Sequence, residues 1–156
     1  MKMPESKILF DDVIKNAEQM HELGIKLSKE LQAGDLVLLT GLLGAGKTTL
    51  ARGIGEGLAV EGTVSSPTFV IARTHKRAGA PLVHVDAYRL KSAVELDDLD
   101  IPFNEAIVLV EWGKGLTEDL ADSWLEVNIE RDSSGLTEDR QVTITAFGER
   151  FMQVKM

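Results

Sequence analysis

Apolar residues along this 156-residue chain are spaced as in β-strands in some segments and as in α-helices in others. Residues 36–40 and 107–110 are nearly continuous apolar runs, which are typical of strands covered on both faces, as in a parallel sheet. Residues 124–129 and 141–147 alternate between apolar and polar, which predicts half-exposed strands towards an edge of the sheet. Strands that alternate with helical segments predict an α/β fold of three layers with a mixed, partly parallel sheet.

The first predicted helix lies near the N-terminus. Residues 7–10 are predicted to be a short extended piece, and Asp11 and Asp12 are residue types that begin helices. The helix is predicted to reach about Ala33, before Gly34, because glycine commonly ends helices. Its buried face is predicted from positions spaced by three or four residues, namely Val13, Ala17, Met20, Gly24, Leu27 and Leu31.

A second helix, predicted from residue 48 to about residue 59, contains three glycines. Gly53, Gly55 and Gly57 each cost about 1 kcal/mol relative to alanine inside a helix. We interpret them as positions that a neighbouring backbone approaches closely, and early fraying of the helix is the alternative.

The middle of the chain predicts an antiparallel hairpin and then a short helix. Residues 69–75 and 82–86 have strand character, and the segment between them contains Gly79 and Pro81, which are typical of a turn. Residues 92–98 are the candidate short helix.

Composition favours one globular domain spanning residues 1–156. Apolar residues make up 44% and charged residues 27% of the chain, so a buried core is expected. Cysteine is absent, which excludes disulfides, thiolate metal sites and cysteine nucleophiles. The first residues lack the apolar core of a signal peptide, and no apolar run approaches the ~20 residues that span a bilayer. We therefore expect a cytoplasmic protein without membrane contact.

The net charge of -8 makes direct binding of nucleic acid by this chain alone unfavourable, because lysine and arginine side chains supply most of the affinity for nucleic-acid phosphates. Residues 92–139 contain fourteen acidic side chains and only two basic ones. Residues 71–91 contain five basic side chains and one acidic one, so any contact with a polyanion is expected there. An ordinary solvated hairpin would explain the same basic residues.

The most informative stretch joins the first buried strand to the second helix. Residues 41–48 have the spacing G-x-x-x-x-G-K-[ST], in which backbone N–H groups bind phosphate oxygens. Lys47, as an exposed cation, is expected to reach the outer phosphates, and Thr48 to bind Mg²⁺. A glycine-rich turn is the alternative, but the strand-loop-helix context favours binding of a nucleoside triphosphate. The residues expected to contact it are Gly41, Gly44, Ala45, Gly46, Lys47, Thr48 and Thr49.

Further polar residues follow predicted strands. Glu111 comes directly after the second buried run, where an acidic group addresses Mg²⁺ in sites of this kind. His84 and Asp86 share a strand face and form either a metal site or a core histidine with its partner. Beside a phosphate site, Asp86 is a candidate for holding or activating the attacking water. Thr68 belongs either to a plain turn or to a loop that reaches the metal, and Tyr88 and Arg89 are candidate contacts to phosphate or a partner.

These residues make the chain recognisable. Four segments, GAGKTTL (44–50), SPTF (66–69), HVDAYR (84–89) and VEW (110–112), closely resemble the bacterial TsaE family, also called YjeE. The first motif is generic, whereas the set of four in this order is specific, and the resemblance covers nearly the whole chain. It implies an ATPase subunit of the machinery that places threonylcarbamoyl on the adenosine next to the anticodon of certain tRNAs. TsaB-like and TsaD-like proteins are the implied partners, with tRNA reached indirectly through the complex.

The resemblance also implies roles for single residues. Lys47 and the loop amides would bind the phosphates of ATP, Thr48 and Glu111 would bind Mg²⁺, and Asp86 would act in hydrolysis. The implied catalytic set is therefore Asp86, Lys47 and Glu111. Two further residues implied to lie near the nucleotide are Trp112 and Arg140.

One position departs from the family pattern. The family usually has an acidic residue after the first loop glycine, where this chain has Leu42. Any polar contact from that position is lost. Binding is expected to survive, because the backbone amides and Lys47 make the phosphate contacts.

Slow ATP hydrolysis, accelerated by partners, is thus the predicted function. A small-molecule or nucleotide kinase is the rival enzyme class, but the chain shows no arginine-rich lid and no room for a second substrate domain. A GTPase is disfavoured because no Asn-Lys-x-Asp segment occurs. An ATP-dependent assembly factor with incidental hydrolysis stays open.

Overall fold

Seven strands form one sheet in the computed structural model, which describes residues 5–42, 44–64, 71–90, 95–96, 98–112 and 120–156. In chain order the strands are β1 (Ser6–Ile14), β2 (Leu36–Thr40), β3 (Ala72–His75), β4 (Leu82–Asp86), β5 (Ile107–Glu111), β6 (Trp124–Arg131) and β7 (Arg140–Phe147). Their order across the sheet is β1-β7-β6-β2-β5-β4-β3. The α-helices of the described residues are α1 (Ala17–Ser28) and α2 (Lys47–Gly57). Single turns of 3-10 helix follow β4 and β7, at Ala87–Arg89 and Glu149–Phe151.

The centre of the sheet is parallel and its flanks are antiparallel. β2 pairs in parallel with β5 and β6, and β4 pairs in parallel with β5. The pairs β1/β7, β6/β7 and β3/β4 are antiparallel. The predicted mixed sheet and the predicted hairpin are therefore confirmed. All five residues of β5 are buried, as its continuous apolar run predicted.

The N-terminal prediction is wrong at the start of the first helix. The strand continues through Asp11 and Asp12 to Ile14, because the whole segment pairs with β7 and Asp11 accepts a hydrogen bond from the Gln141 side chain. The helix is capped instead by Asn16, whose side chain accepts a hydrogen bond from the backbone N–H of Gln19 at 2.9 Å. At its other end, helix α1 ends at Ser28, well before the predicted Ala33.

Part of the predicted helical stripe is correct. Met20, Gly24 and Leu27 are buried on α1, and Leu31 is buried just beyond it. Val13 and Ala17 are exposed, since the first belongs to β1 and the second begins the helix on its solvent side.

Strands β6 and β7 lie inside the sheet rather than at an edge. They alternate between buried and partly exposed residues, as predicted. The nine-residue β1 pairs with β7 and takes the edge, while β6 pairs with the central β2. The predicted extended piece at residues 7–10 is thus part of the edge strand, and β7 and β6 are the next strands inward from that edge.

Two of the three glycines of α2 lie where α1 approaches closely, in line with our interpretation, whereas Gly55 faces the side chains of Val60 and Val64. A Cβ atom at Gly53 would collide with the carbonyl oxygen of His21, and one at Gly57 with the side chain of Ser28. Gly24 on α1 is equally close to the carbonyl oxygen of Leu50. The two helices can therefore pack backbone against backbone, and α2 remains helical through Gly57.

Apolar clusters cover both faces of the sheet, so the architecture has three layers. One cluster joins α1 and α2 to the sheet, and the other, on the opposite face, includes Ala87, Leu96 and Ala106. The short helix predicted at 92–98 lies largely outside the described residues, although Glu95 and Leu96 are helical. No helix within the described ranges combines the length and apolar character needed to cross a membrane.

The parallel strands place their carboxyl ends at one edge of the sheet. The ends of β2, β4 and β5 carry the glycine loop, Asp86 and Glu111 respectively. Open α/β sheets bind ligands at this edge.

Candidate active site

A tight loop connects β2 to α2. Gly46 directly precedes the helix with φ at 116°, and Gly44 has φ at 80°, a region that side chains with a Cβ rarely adopt. The first turn of α2 contains no acidic residue, so the positive end of its dipole is not neutralised there. The local structure predicted for a phosphate-binding loop is therefore present.

A cavity of about 660 Å³ opens beside this loop. It contains most of the residues that the sequence singled out, Leu42 and Tyr88 among them. The ten lining residues are Leu42, Gly44, Gly46, Lys47, Thr48, Thr49, Asp86, Tyr88, Glu111 and Trp112. The carboxyl ends of three neighbouring strands thus bring distant segments of the sequence into one site.

Lys47 is buried rather than exposed, which corrects the expectation from the sequence. Only 7% of the residue is accessible, its Nζ donates a hydrogen bond to the carbonyl oxygen of Gly41, and Nζ lies 4.1 Å from the ring centroid of Trp112. Burial lowers the pKa of this amine, while the nearby carboxylates of Glu111 and Asp86 oppose that shift. The ammonium group is held inside the site before any ligand arrives.

Two carboxylates lie side by side next to this amine. Asp86 and Glu111 are direct register partners on the parallel strands β4 and β5, so their side chains share a face. Like charges placed opposite each other are destabilising, and a cation between or beside them removes that repulsion. Lys47 supplies one positive charge here.

The same oxygen donors fit a magnesium ion. Glu111, Asp86 and the Thr48 hydroxyl line one cavity, and Mg²⁺ prefers oxygen ligands. The described residues contain no cluster of three or more histidine, cysteine or acidic side chains suited to a metal. Mg²⁺ is usually bound by one or two carboxylates acting together with substrate phosphates and water.

His84 contacts Glu111 directly. Its Nε2 lies 2.8 Å from Oε2 of Glu111, and both residues are buried. Of the two alternatives left open by the sequence, a metal site or a core histidine with its partner, this contact gives the histidine a carboxylate partner. The partner is Glu111 rather than Asp86.

Asp86 and Tyr88 shape the rim of the cavity. The Asp86 carboxylate accepts a hydrogen bond of 3.0 Å from the backbone N–H of Tyr88, which caps the 3-10 turn. The Tyr88 side chain is 72% exposed, and its ring centroid lies 5.5 Å from that of Trp112. Trp112 has φ at 63°, an unusual backbone for a non-glycine residue and one that clusters at functional sites.

Some predicted contacts lie elsewhere. Arg140 is not on the main cavity, and its Nε instead donates a 3.1 Å hydrogen bond to the carbonyl oxygen of Ala45, bracing the loop from behind. Gly41 lines a second cavity of about 550 Å³, which shares Leu42 and Trp112 with the first and continues along residues 128–133. Thr68 lies outside the described residues.

Two contacts were not predicted from the sequence, namely His84 with Glu111 and Lys47 with Trp112. Both join segments whose neighbourhood depends on strand order. The sequence places His84 and Glu111 near the ends of two predicted strands. Their contact, however, depends on the register between β4 and β5, which the sequence does not show.

Comparisons with known proteins agree with this fold. A family model described as "Threonylcarbamoyl adenosine biosynthesis protein TsaE" matches residues 14–142. The tRNA threonylcarbamoyladenosine biosynthesis protein TsaE of Streptomyces coelicolor is 52% identical over 138 residues, which cover 85% of this chain and 93% of that protein. The protein of the same name from Bacillus subtilis is 35% identical over 137 residues, covering 87% and 85%. The crystal structure of Bacillus subtilis YdiB superposes with a TM-score of 0.75 at 29% identity, covering 97% of this chain and 92% of that one. The chain therefore belongs to the TsaE family.

Proposed function

We propose that this chain is an ATP-binding, slowly hydrolysing subunit that acts in the cytoplasm in the threonylcarbamoyl modification of adenosine next to the anticodon of tRNA. The observation that carries the proposal is the convergence of Lys47 and Thr48 from the loop with Asp86 and Glu111 from β4 and β5 in one cavity. The names of the relatives from Streptomyces coelicolor and Bacillus subtilis supply the pathway.

ATP would place its phosphates against the loop. The N–H groups at the start of α2 point towards anionic oxygens, and the dipole of the helix adds to the attraction. Lys47 would exchange its bond with the Gly41 carbonyl for the outer phosphates. Trp112 lies between the two cavities and would contact the nucleoside side of the ligand.

Thr48 and Glu111 would hold Mg²⁺, with Asp86 close by. The ion, when bound, neutralises charge that develops on the transferred phosphoryl group. Asp86 would orient the attacking water and accept its proton, since it is less buried than Glu111 and faces the same cavity. Arg140 would act on the loop through Ala45.

Exchanging the proposed metal ligands should separate metal use from nucleotide binding. Thr48→Val and Glu111→Gln keep side-chain size, and we expect each to raise the Mg²⁺ concentration for half-maximal turnover about 10-fold or more. Affinity for ADP in EDTA should change less than about 3-fold, because the loop amides and Lys47 remain. Isothermal titration and a steady-state assay measure the two quantities.

Thr145→Val, on β7 and away from the cavity, is the matched control and should leave both quantities unchanged. Equal loss of metal-dependent turnover and metal-free binding in the Thr48 and Glu111 variants would refute the proposed ligand set.

The proposed function predicts dependence on other proteins. Fast phosphoryl transfer commonly needs an arginine or a water-orienting group supplied in trans, worth about 10³ to 10⁵ in rate. The isolated chain should therefore turn over ATP below the ~1 s⁻¹ lower range of typical enzymes. Purified TsaB-like and TsaD-like proteins should accelerate it and make the three together competent to form threonylcarbamoyladenosine on tRNA.

Each competing function gives a different result in that experiment. Turnover that stays slow while tRNA modification still requires ATP binding would favour an assembly factor. A lone protein that is already fast, with no effect of either partner, would overturn the subunit proposal and direct attention to kinase acceptors.

A further inference from the structure

His84 is the only histidine of the described residues that contacts a side chain of the main cavity. It is fully buried on β4, between the parallel neighbour β5 and the antiparallel edge strand β3, and Glu111, its partner, is 5% exposed. The 2.8 Å separation of Nε2 and Oε2 is a good hydrogen-bond distance. Its neighbours Val83 and Val85 are apolar and buried, so this ring is a polar group set within a hydrophobic strand.

We propose that His84 is a positioning residue, which fixes the Glu111 carboxylate in the orientation that binds Mg²⁺. This inference rests on the proposed function, because it assigns a role to His84 through a metal ligand proposed above. His84 itself touches neither nucleotide nor metal in this proposal. It acts by holding Oε2 and thereby directing the other oxygen of Glu111 towards the cavity.

The chemistry of the contact assigns its donor. An ionised carboxylate can only accept hydrogen bonds, so Nε2 of His84 carries the hydrogen that is shared with Oε2. The other carboxylate oxygen, Oε1, makes no hydrogen bond with the described residues. One oxygen is thus anchored, and the second is available to a ligand that enters the cavity.

The other ring nitrogen argues against a role in packing alone. Nδ1 of His84 is buried and has no hydrogen-bond partner among the described residues. Leaving a buried polar atom unpaired costs about 1–3 kcal/mol, which an apolar side chain such as leucine would avoid. Histidine at this position therefore lowers the stability of the fold relative to leucine. The hydrogen bond from Nε2 to Glu111 gives a reason for having a histidine here.

The sheet fixes the two partners rigidly. His84 is the register partner of Leu109, and Asp86 is the register partner of Glu111, so the histidine reaches diagonally to the carboxylate on the same face. Both strands lie inside the sheet, and their apolar residues are fully buried. Second partners of metal ligands typically change metal affinity 10–100-fold when they are removed.

Direct metal titration tests the inference. Mn²⁺ suits the same oxygen ligands as Mg²⁺, and the electron paramagnetic resonance signal of free Mn²⁺ reports binding to the protein saturated with ADP. We expect His84→Leu to weaken Mn²⁺ binding about 10-fold or more, while ADP affinity in EDTA stays within about 3-fold of wild type. His84→Gln, whose amide nitrogen can reach the place of Nε2, should restore binding to within about 3-fold.

His75→Leu is the matched control. It replaces another buried histidine, on β3, which makes no hydrogen bond to Glu111 in the described structure, and it should leave Mn²⁺ affinity unchanged. If His84→Leu does not fold, His84→Asn takes its place beside His84→Gln, because the shorter amide remains polar but does not reach Oε2. The Asn variant should then show the loss and the Gln variant the recovery.

The outcomes are distinct. Unchanged Mn²⁺ affinity in folded His84→Leu or His84→Asn, or a Gln variant as weak as these, overturns the positioning role. Equal weakening of metal-free ADP binding would mean that His84 maintains the site as a whole, which also overturns it. Wild-type protein that binds ADP without any coupled Mn²⁺ binding would overturn the proposed metal function, and this inference with it.

Discussion

Replacing Lys47 by methionine is expected to abolish nucleotide binding while the protein stays folded. The amine lies inside the cavity over Trp112, where it would meet the outer phosphates. Charge-assisted hydrogen bonds contribute about 1.5–3 kcal/mol each, so loss of two such bonds to the outer phosphates weakens ATP binding about 100-fold or more. Isothermal titration with ATP and with ADP measures the change.

Stability should respond weakly to the same substitution. Burial disfavours the charged amine, which lowers its pKa, so methionine removes a penalty. It also removes the bond to the Gly41 carbonyl and the positive charge beside Asp86 and Glu111, and these losses oppose that gain. We expect the free energy of unfolding to change by less than about 1.5 kcal/mol in urea titration.

An exposed lysine on α1 offers the matched control. Lys26→Met should leave both nucleotide affinity and stability unchanged, because Lys26 lies away from the cavity. A folded Lys47→Met protein that still binds ATP within a few-fold of wild type would contradict the proposed phosphate contact.

Local rules explain what could be predicted from the sequence. The glycine loop follows a spacing whose backbone geometry is nearly unique, and β2 and β5 carry continuous apolar runs. A close approach of a neighbouring backbone was expected at the three glycines of α2, and Gly53 and Gly57 meet α1 in this way. In each case the physical requirement lies within about a dozen residues.

The features that could not be predicted from the sequence depend on contacts between distant segments. Asp11 and Asp12 are good helix-starting residues, and only the partner strand β7 shows that they belong to β1. The burial of Lys47 depends on Trp112, which is distant in sequence and follows another strand. Register likewise decides that Glu111, rather than Asp86, receives the hydrogen bond of His84.

Unfavourable features are concentrated at the site. A buried amine, two adjacent carboxylates, an unpaired histidine nitrogen and a tryptophan with positive φ all surround the main cavity or touch its lining. Such features persist at functional sites because bound ligands or surrounding structure compensate for them. A ligand that supplies phosphates and a cation would satisfy the charged groups here, and binding would then stabilise the fold.

The carboxylate of Asp86 is expected to be essential for hydrolysis and dispensable for binding. Asp86→Asn keeps an oxygen that can accept the hydrogen bond from the Tyr88 N–H, so the 3-10 turn should remain capped. The amide cannot accept a proton from water, and loss of a general base lowers turnover about 10²–10⁴-fold. ATP affinity should remain within about 3-fold of wild type, since the loop and Lys47 are untouched.

Partner-stimulated turnover is the quantity that should fall most in Asp86→Asn. Steady-state phosphate release with TsaB-like and TsaD-like proteins measures it, and co-elution of the three proteins checks that the complex still forms. Asp12→Asn, an exposed substitution on β1, is the matched control and should leave release unchanged. Undiminished stimulated release in Asp86→Asn would remove Asp86 from the hydrolytic step. Parallel loss of ATP binding would instead make it a nucleotide-binding residue, because a proton acceptor for water contributes to the reaction and not to the affinity of the loop for phosphate.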